Sequence, residues 1–373
     1  MGQDSHPVSG FARRRVALLA LALGMIALAG PALALPTGYT ITDLGTLGGA
    51  TRGLGINELG HVVGDSEISP GGALHPFVWT PGTGMDDIGT AGWAAGTACN
   101  INDHGLICGY AGPGYPNCRA YRWEYSSGSW TGTYLGSFGY AKGYAQDVNN
   151  AGQIVGMAFT SSSSSDAFIW EESTGLIRLW NEGSDDRGME INESGQVAGC
   201  SWLGWSSGWH GYFWDGSTLI DIGNMGGECR SYGLNDLGQL VGNSGSPQQA
   251  YVWEDGEFTP IGRLAPGLWS HAEAINNAGL AVGRALVSAN DQHAFIWTAQ
   301  SGILDLNLLL PPGSGWELTS AYDINGAGQI VGTGLLNGET RGFLMTPQAA
   351  PIPEPTTLAL LGLGALGLLR RRR

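Results

Sequence analysis

Short runs of alternating apolar and polar residues fill the body of this chain and return at a nearly fixed period. An apolar residue followed by Asn recurs at Asn57, Asn102, Asn149, Asn192, Asn235, Asn276 and Asn325, with spacings of 45, 47, 43, 43, 41 and 49. Three residues after each Asn stands a glycine, from Gly60 and Gly105 to Gly328, and four further on a second, from Gly64 and Gly109 to Gly332. Asn-x-x-Gly between β-branched flanks such as Asp323-Ile324 and Ile330-Val331 predicts a tight hairpin. Asn begins a type I turn through its side chain and Gly takes the left-handed position of the bulge that follows. About 20 residues past each Asn comes a third strand with an aromatic pair: Phe77/Trp79, Tyr121/Trp123, Phe168/Trp170, Tyr212/Trp214, Tyr251/Trp253 and Phe295/Trp297, with Phe343/Met345 in the last copy. A fourth strand ends in Asp, an aliphatic residue and often Gly, as in Asp87-Ile88-Gly89 and Asp221-Ile222-Gly223.

Four short strands in 41–49 residues, with both faces of the third strand apolar, is the pattern of a propeller blade. The seventh unit stops at Thr346-Pro347 after three strands, and Thr42-Asp43-Leu44-Gly45 at the other end of the body reads like the fourth strands elsewhere. An open solenoid has no reason to split a unit between its ends. The expected fold is therefore all-β: a seven-bladed β-propeller of four-stranded blades over residues 35–347, with the N-terminal strand completing the last blade.

Over about residues 39–346 the repeat resembles the HAF family of bacterial extracellular repeats, named for a His-Ala-Phe signature. His293-Ala294-Phe295 carries it intact, Ala167-Phe168 has its last two residues, His75-Pro76-Phe77 departs in the middle, and Asp43-Leu44-Gly45-Thr46-Leu47-Gly48-Gly49 is also typical. The resemblance implies export and brings no activity with it.

Both ends read as addresses. Arg13-Arg14-Arg15, the apolar run Val16–Ala29 and the small residues Ala32-Leu33-Ala34 form a secretory signal peptide over residues 1–34. After a linker at 348–352, residues 353–373 place Pro353-Glu354-Pro355, a short apolar helix and Arg370, Arg371, Arg372 and Arg373 in that order. This tail resembles the PEP-CTERM sorting signal. The resemblance implies transient membrane anchoring by the short helix with the arginines on the cytoplasmic side. It also implies cutting by an exosortase and a final place on the cell surface or in the extracellular matrix of a Gram-negative bacterium.

Without residues 1–34 and the tail from Ile352, the chain keeps 10 basic against 30 acidic residues, a net charge of −20, and its sole lysine is Lys142. A body so acidic offers no cationic surface for phosphates, so nucleic acid is excluded as a partner. It is compatible with surface Ca²⁺ and calls for no cofactor.

The unusual residues fall in loops assigned to one face. Trp202, Trp205 and Trp209 crowd one loop of blade four, Trp93, Trp269 and Trp316 sit between blades, and Tyr110 and Tyr115 belong to a blade-two loop. Aromatic rings over an acidic ring of loops suit stacking on sugars, and they equally suit packing of the loops; Trp93 and Trp316 both stand nine residues before a repeat Asn. Five cysteines in an oxidising compartment favour disulfides, with Cys108–Cys118 and Cys200–Cys229 as the expected pairs and Cys99 left free. No paired-cysteine spacing of a metal site is present. His75, His210 and His293 share a third-strand position held elsewhere by Arg119, Asp166, Gln249 and Arg341, which reads as an inter-blade hydrogen-bonding site. Gly204-Trp205-Ser206-Ser207-Gly208 fits a nucleophile elbow in letters but falls in a loop, where that motif has no strand-to-helix turn. The sequence thus predicts an exported, non-enzymatic binding module for glycan or exopolysaccharide. The alternatives are a propeller glycosidase or polysaccharide lyase, and a purely architectural surface protein.

Overall fold

The computed structural model describes residues 35, 36 and 38–348, so the expected signal peptide and the sorting tail with its membrane helix lie outside the described residues. The described chain forms seven four-stranded antiparallel sheets, with one 3₁₀ turn at Leu306–Leu309. Six blades run in sequence order over residues 51–87, 95–134, 143–180, 186–221, 229–262 and 270–305. The seventh comprises 316–347 with Tyr39–Asp43 as its outer strand, paired Tyr39 to Pro347 through Asp43 to Phe343. Among the described residues no helix is long and apolar enough to cross a membrane.

The first strand of every blade faces the central channel and touches the first strands on either side. One apolar core fills each gap between neighbouring blades, built on the third-strand aromatics, of which Phe77, Trp123, Phe168, Tyr251, Phe295 and Phe343 are fully buried. Burying each such ring contributes roughly 1.5–3 kcal/mol.

The repeat motifs acquire specific jobs. All seven turn glycines take φ between +76° and +81°, the left-handed region that a side chain disfavours. Each repeat Asn accepts from the backbone N–H groups two and four residues on in most blades, as Asn57 Oδ1 does from Leu59 and His61. Its Nδ2 donates to the carbonyl of the next repeat Asn at 2.9–3.1 Å, from Asn57 to Asn102 and on to Asn325, which donates back to Asn57. Seven such bonds tie the blades into a circle.

The Asp that ends a fourth strand caps the following turn: Asp43, Asp87 and Asp221 accept from the N–H of Gly45, Gly89 and Gly223 at 2.8–2.9 Å. The intervening Leu44, Ile88 and Ile222 are buried. The other carboxylate oxygen takes the third-strand histidine, in His75–Asp87, His210–Asp221 and His293–Asp305. This corrects the sequence reading, because the histidines link strands within one blade and do not bridge blades. Blade three keeps the link with signs exchanged, Arg178 Nε lying 2.6 Å from Asp166 Oδ2, and blade five uses Arg263 and Gln249 at 2.7 Å. In blade seven the link is absent among the described residues, and Arg341 pairs with Glu339 on its own strand.

Candidate functional site

A β-bulge interrupts the first strand of every blade at the third residue before the repeat Asn. The extra residue has no opposite number in the ladder. All seven, Leu54, Cys99, Gln146, Met189, Tyr232, Glu273 and Tyr322, line one cavity of about 600 Å³ at the loop end of the channel. The cavity wall also holds Arg52, Thr97, Tyr144 and Arg187, two residues earlier on their strands, with Tyr110, Tyr115, Lys142 and Phe159 at the mouth.

Charge in the channel is layered. At the upper level the cations are neutralised in place: Arg52 makes two bonds to Asp65 at 2.9 and 2.5 Å, and Arg187 pairs with Asp185. Lys142 Nζ sits 3.9 Å from the centre of the Phe159 ring. One level below the bulges come Asn100, Asp147, Glu190 and Asp323. Asp147 Oδ2 accepts from Ile191 N at 2.8 Å and Asp323 Oδ2 from Ile56 N at 2.9 Å, each tying its blade to the next. Their second oxygens accept from Val148 and Ile324 N–H. Glu190 has no such partner among the described residues, and Glu273 of the bulge ring is held by Arg284 instead, at 2.9 Å. At the far end, the residues after the repeat Asn form a second ladder, Glu58 N–H to Asp103, Asp103 to Asn150 and Glu193 to Asp236. Gly326 donates to Glu58 and completes that face.

Burial raises Asp147 to about 6 and Asp323 to about 7, and raises Glu190 well above its ordinary range, where the charges of Asp147 and Asp323 add to the effect. The folded chain therefore holds these protons more tightly than the unfolded chain, so their stabilising effect is complete below the ordinary carboxylate range and is lost as pH rises through about 6 to 7. The melting temperature is expected to fall by about 5 °C or more between about pH 5 and pH 8. A melting series that is flat or rises over that interval would contradict this layering.

The expected aromatic set divides. Tyr110 and Tyr115 line the cavity, grouped on Tyr144 with ring centres 5.0 and 5.9 Å away, and Tyr115 is 79% exposed. Trp202, Trp205 and Trp209 form a cluster with centres 5.5 and 5.9 Å from Trp202, and Trp205 is 96% exposed. The guanidiniums of Arg187 and Arg230 lie 4.6 and 4.7 Å from the Trp209 ring centre, so Arg187 joins this cluster to the cavity wall. The three inter-blade tryptophans stay apart from the cavity. Trp93 donates to Tyr121 Oη at 2.8 Å, Trp316 covers Phe343 and Trp269 leans on His271.

The expected disulfides do not form: all five cysteines are unbridged. Cys108 pairs across the ladder with Arg122 and Ala111 with Arg119, which sets Cys118 opposite Gly112, four residues along the strand from Cys108. At about 3.3 Å per residue that is roughly 13 Å, beyond the reach of a disulfide. Cys229 Sγ is turned to Tyr251 Oη at 3.7 Å in the core between blades four and five and is unbridged. Cys99, Cys108, Cys200 and Cys229 lie within strands and Cys118 lies in a loop. Burial raises Cys99 and Cys200 to about 12, so both are neutral thiols and poor nucleophiles.

The sequence reading missed the bulge ring. Its signal was present as a position at fixed distance from an invariant Asn that holds Leu, Cys, Gln, Met, Tyr, Glu and Tyr in turn. Only the bulge, which no local pattern announces, turns that position into the channel.

No curated protein sequence matches this chain. Among the solved structures that resemble it in fold, an oligogalacturonate lyase in complex with manganese, at 12% identity and a TM-score of 0.53, covers 83% of this chain and 93% of its own. A puromycin hydrolase, at 13% identity and a TM-score of 0.51, covers 86% of this chain and 58% of its own. Residues 351–373 match the PEP-CTERM protein-sorting motif, which implies that this propeller is exported and processed at the membrane by an exosortase.

Proposed function

We propose that the exported propeller is a non-enzymatic binding protein that takes a glycan of the surrounding matrix at the loop end of its channel. The observation that carries this reading is the open cavity of about 600 Å³. Tyrosines 110, 115, 232 and 322 stand in its wall beside Gln146 and Asn100, and Arg187 continues it onto the Trp202–Trp205–Trp209 cluster. Aromatic faces stack on the apolar faces of sugar rings while amides and hydroxyls bond the sugar hydroxyls. A purely architectural role would leave Trp205 and Tyr115 without a reason for their exposure. Residues 351–373 support a place of action outside the cytoplasm, since the sorting motif implies export and processing at the membrane by an exosortase.

A second reading, a glycosidase or lyase, draws on the carboxylates in the same channel. Hydrolysis needs two carboxyl groups free to exchange protons and attack. Asp147 and Asp323 each have both oxygens engaged by backbone N–H groups or by Asn100, and Asp185 and Glu273 are held by Arg187 and Arg284, which leaves Glu190 as the cavity carboxylate without such a partner among the described residues. Binding therefore accounts for more of the site than catalysis does.

Titration of the purified protein against a panel of bacterial exopolysaccharides is expected to give saturable binding. Trp205→Ala and Tyr115→Ala are expected to weaken it about tenfold or more at an unchanged melting temperature, because both rings are exposed. A folded wild type that binds nothing on the panel would overturn the reading. Cleavage of a bound glycan, abolished by Glu190→Gln, would replace it with the enzyme.

A further inference from the structure

Asp291 and His293 open the third strand of blade six (Asp291–Thr298), and Glu317 lies near the start of the first strand of blade seven (Trp316–Ile324). One ligand atom from each lies within 4.8 Å of the other two. We propose that these three side chains hold a first-row divalent cation, with Zn²⁺ the ion they suit best, and so clip blade six to blade seven.

The geometry begins with the imidazole. Nδ1 of His293 is 2.6 Å from Asp305 Oδ2, so the proton sits on Nδ1 and the lone pair on Nε2. Nε2 in turn lies 3.8 Å from Asp291 Oδ2. A carboxylate behind the imidazole that fixes its tautomer and raises its basicity is the usual support of a ligating histidine.

The chain supplies its own comparison. His75–Asp87 and His210–Asp221 repeat the same pair at 2.8 Å in blades one and four, and neither joins such a group among the described residues. Blade six adds two exposed carboxylates on the open side of the ring, one of them from the next blade. Asp291, Asp305 and Glu317 together have no Lys or Arg ion-pair partner among the described residues. His293 is the one basic side chain paired with them among the described residues, so a bound cation would offset the excess negative charge.

Ligand type and size narrow the ion. One nitrogen with carboxylate oxygens selects Zn²⁺ and its transition-metal neighbours over Ca²⁺ and Mg²⁺, which prefer oxygen alone. Tetrahedral zinc with bonds of about 2.0–2.2 Å sets its ligands roughly 3.3–3.5 Å apart. Binding would draw the exposed carboxylates of Asp291 and Glu317 in from within 4.8 Å to that spacing.

Zn²⁺ titrated into the purified, untagged protein in competition with a chromogenic chelator is expected to bind one equivalent and to raise the melting temperature. The double variant Asp291→Asn/Glu317→Gln alters only exposed side chains; it is expected to lose the binding and the rise together. Asp305→Asn is expected to weaken binding about 10–100-fold, and His210→Ala is expected to leave it unchanged. No stoichiometric binding by the folded wild type, or equal binding by the double variant, would overturn the site.

Discussion

Deleting residues 38–44 is expected to abolish a cooperative melt and send the chain into aggregates. Among the described residues the strand Tyr39–Asp43 alone covers the outer edge of Glu339–Pro347, along five paired positions. It also supplies cores on both sides of blade seven. Tyr39, 1% exposed, packs between blades six and seven, and Leu44, 2% exposed, packs between blades seven and one. Losing two buried side chains costs roughly 3–6 kcal/mol before the ladder bonds are counted, against a total stability of about 5–15 kcal/mol. The third strand, bared along its hydrogen-bonding edge, becomes a template for another chain. Leu44→Ala, which keeps the strand and removes one core contact, is expected to cost about 2–5 kcal/mol. Soluble yield and calorimetric melting of the two variants test the closure. A deletion that melted like the intact protein would mean that the ring holds without its N-terminal strand.

The second large effect separates the two repeat glycines, which look alike in sequence. Gly283→Ala is expected to destabilise by more than about 4 kcal/mol. The bulge pushes the His271 carbonyl against Gly283, so an added Cβ would stand closer than 3.0 Å to backbone oxygen, with the Ala272 Cα also in the way. The same collision waits at Gly64, Gly109, Gly156, Gly199, Gly242 and Gly332. Gly279→Ala, four residues earlier, meets open space and carries only the cost of a side chain at φ +77°, about 1–2 kcal/mol. Urea melts of both variants should therefore differ severalfold in their loss of stability. Equal losses would mean that the strands separate readily at the bulge and that close packing there is not what fixes the glycine.

These two glycines show how far the sequence could be read. The turn glycine was legible with its reason, because a left-handed residue three places after Asn is a local event. The second was legible only as a recurrence, since its cause is a carbonyl on another strand displaced by a bulge. The third-strand aromatics were legible as core because a strand that is apolar on both faces has no solvent side. The His–Asp pairs were visible as two separate motifs; that they form one link within a blade follows from the register of His75 and Asp87 on adjacent strands. The cysteine pairs failed for the same kind of reason, because the loop between Cys108 and Cys118 is short in sequence while the hairpin holds their strand positions roughly four residues apart.

What the amino-acid sequence determined alone is the unit, its count and its closure: seven hairpins announced by Asn-x-x-Gly, seven buried third strands, and a strand at 39–43 that matches the fourth strand lacking at 347. Each of these is written as a pattern local to one repeat, the closing strand included, and sevenfold recurrence amplifies a weak local signal. Tertiary structure alone decided what faces the channel, which carboxylates spend their oxygens on backbone, and which side chains from neighbouring blades meet. Those facts depend on residues brought together around an axis, such as Asp323 with Ile56 or His293 with Glu317, and no spacing along the chain encodes a distance measured across it.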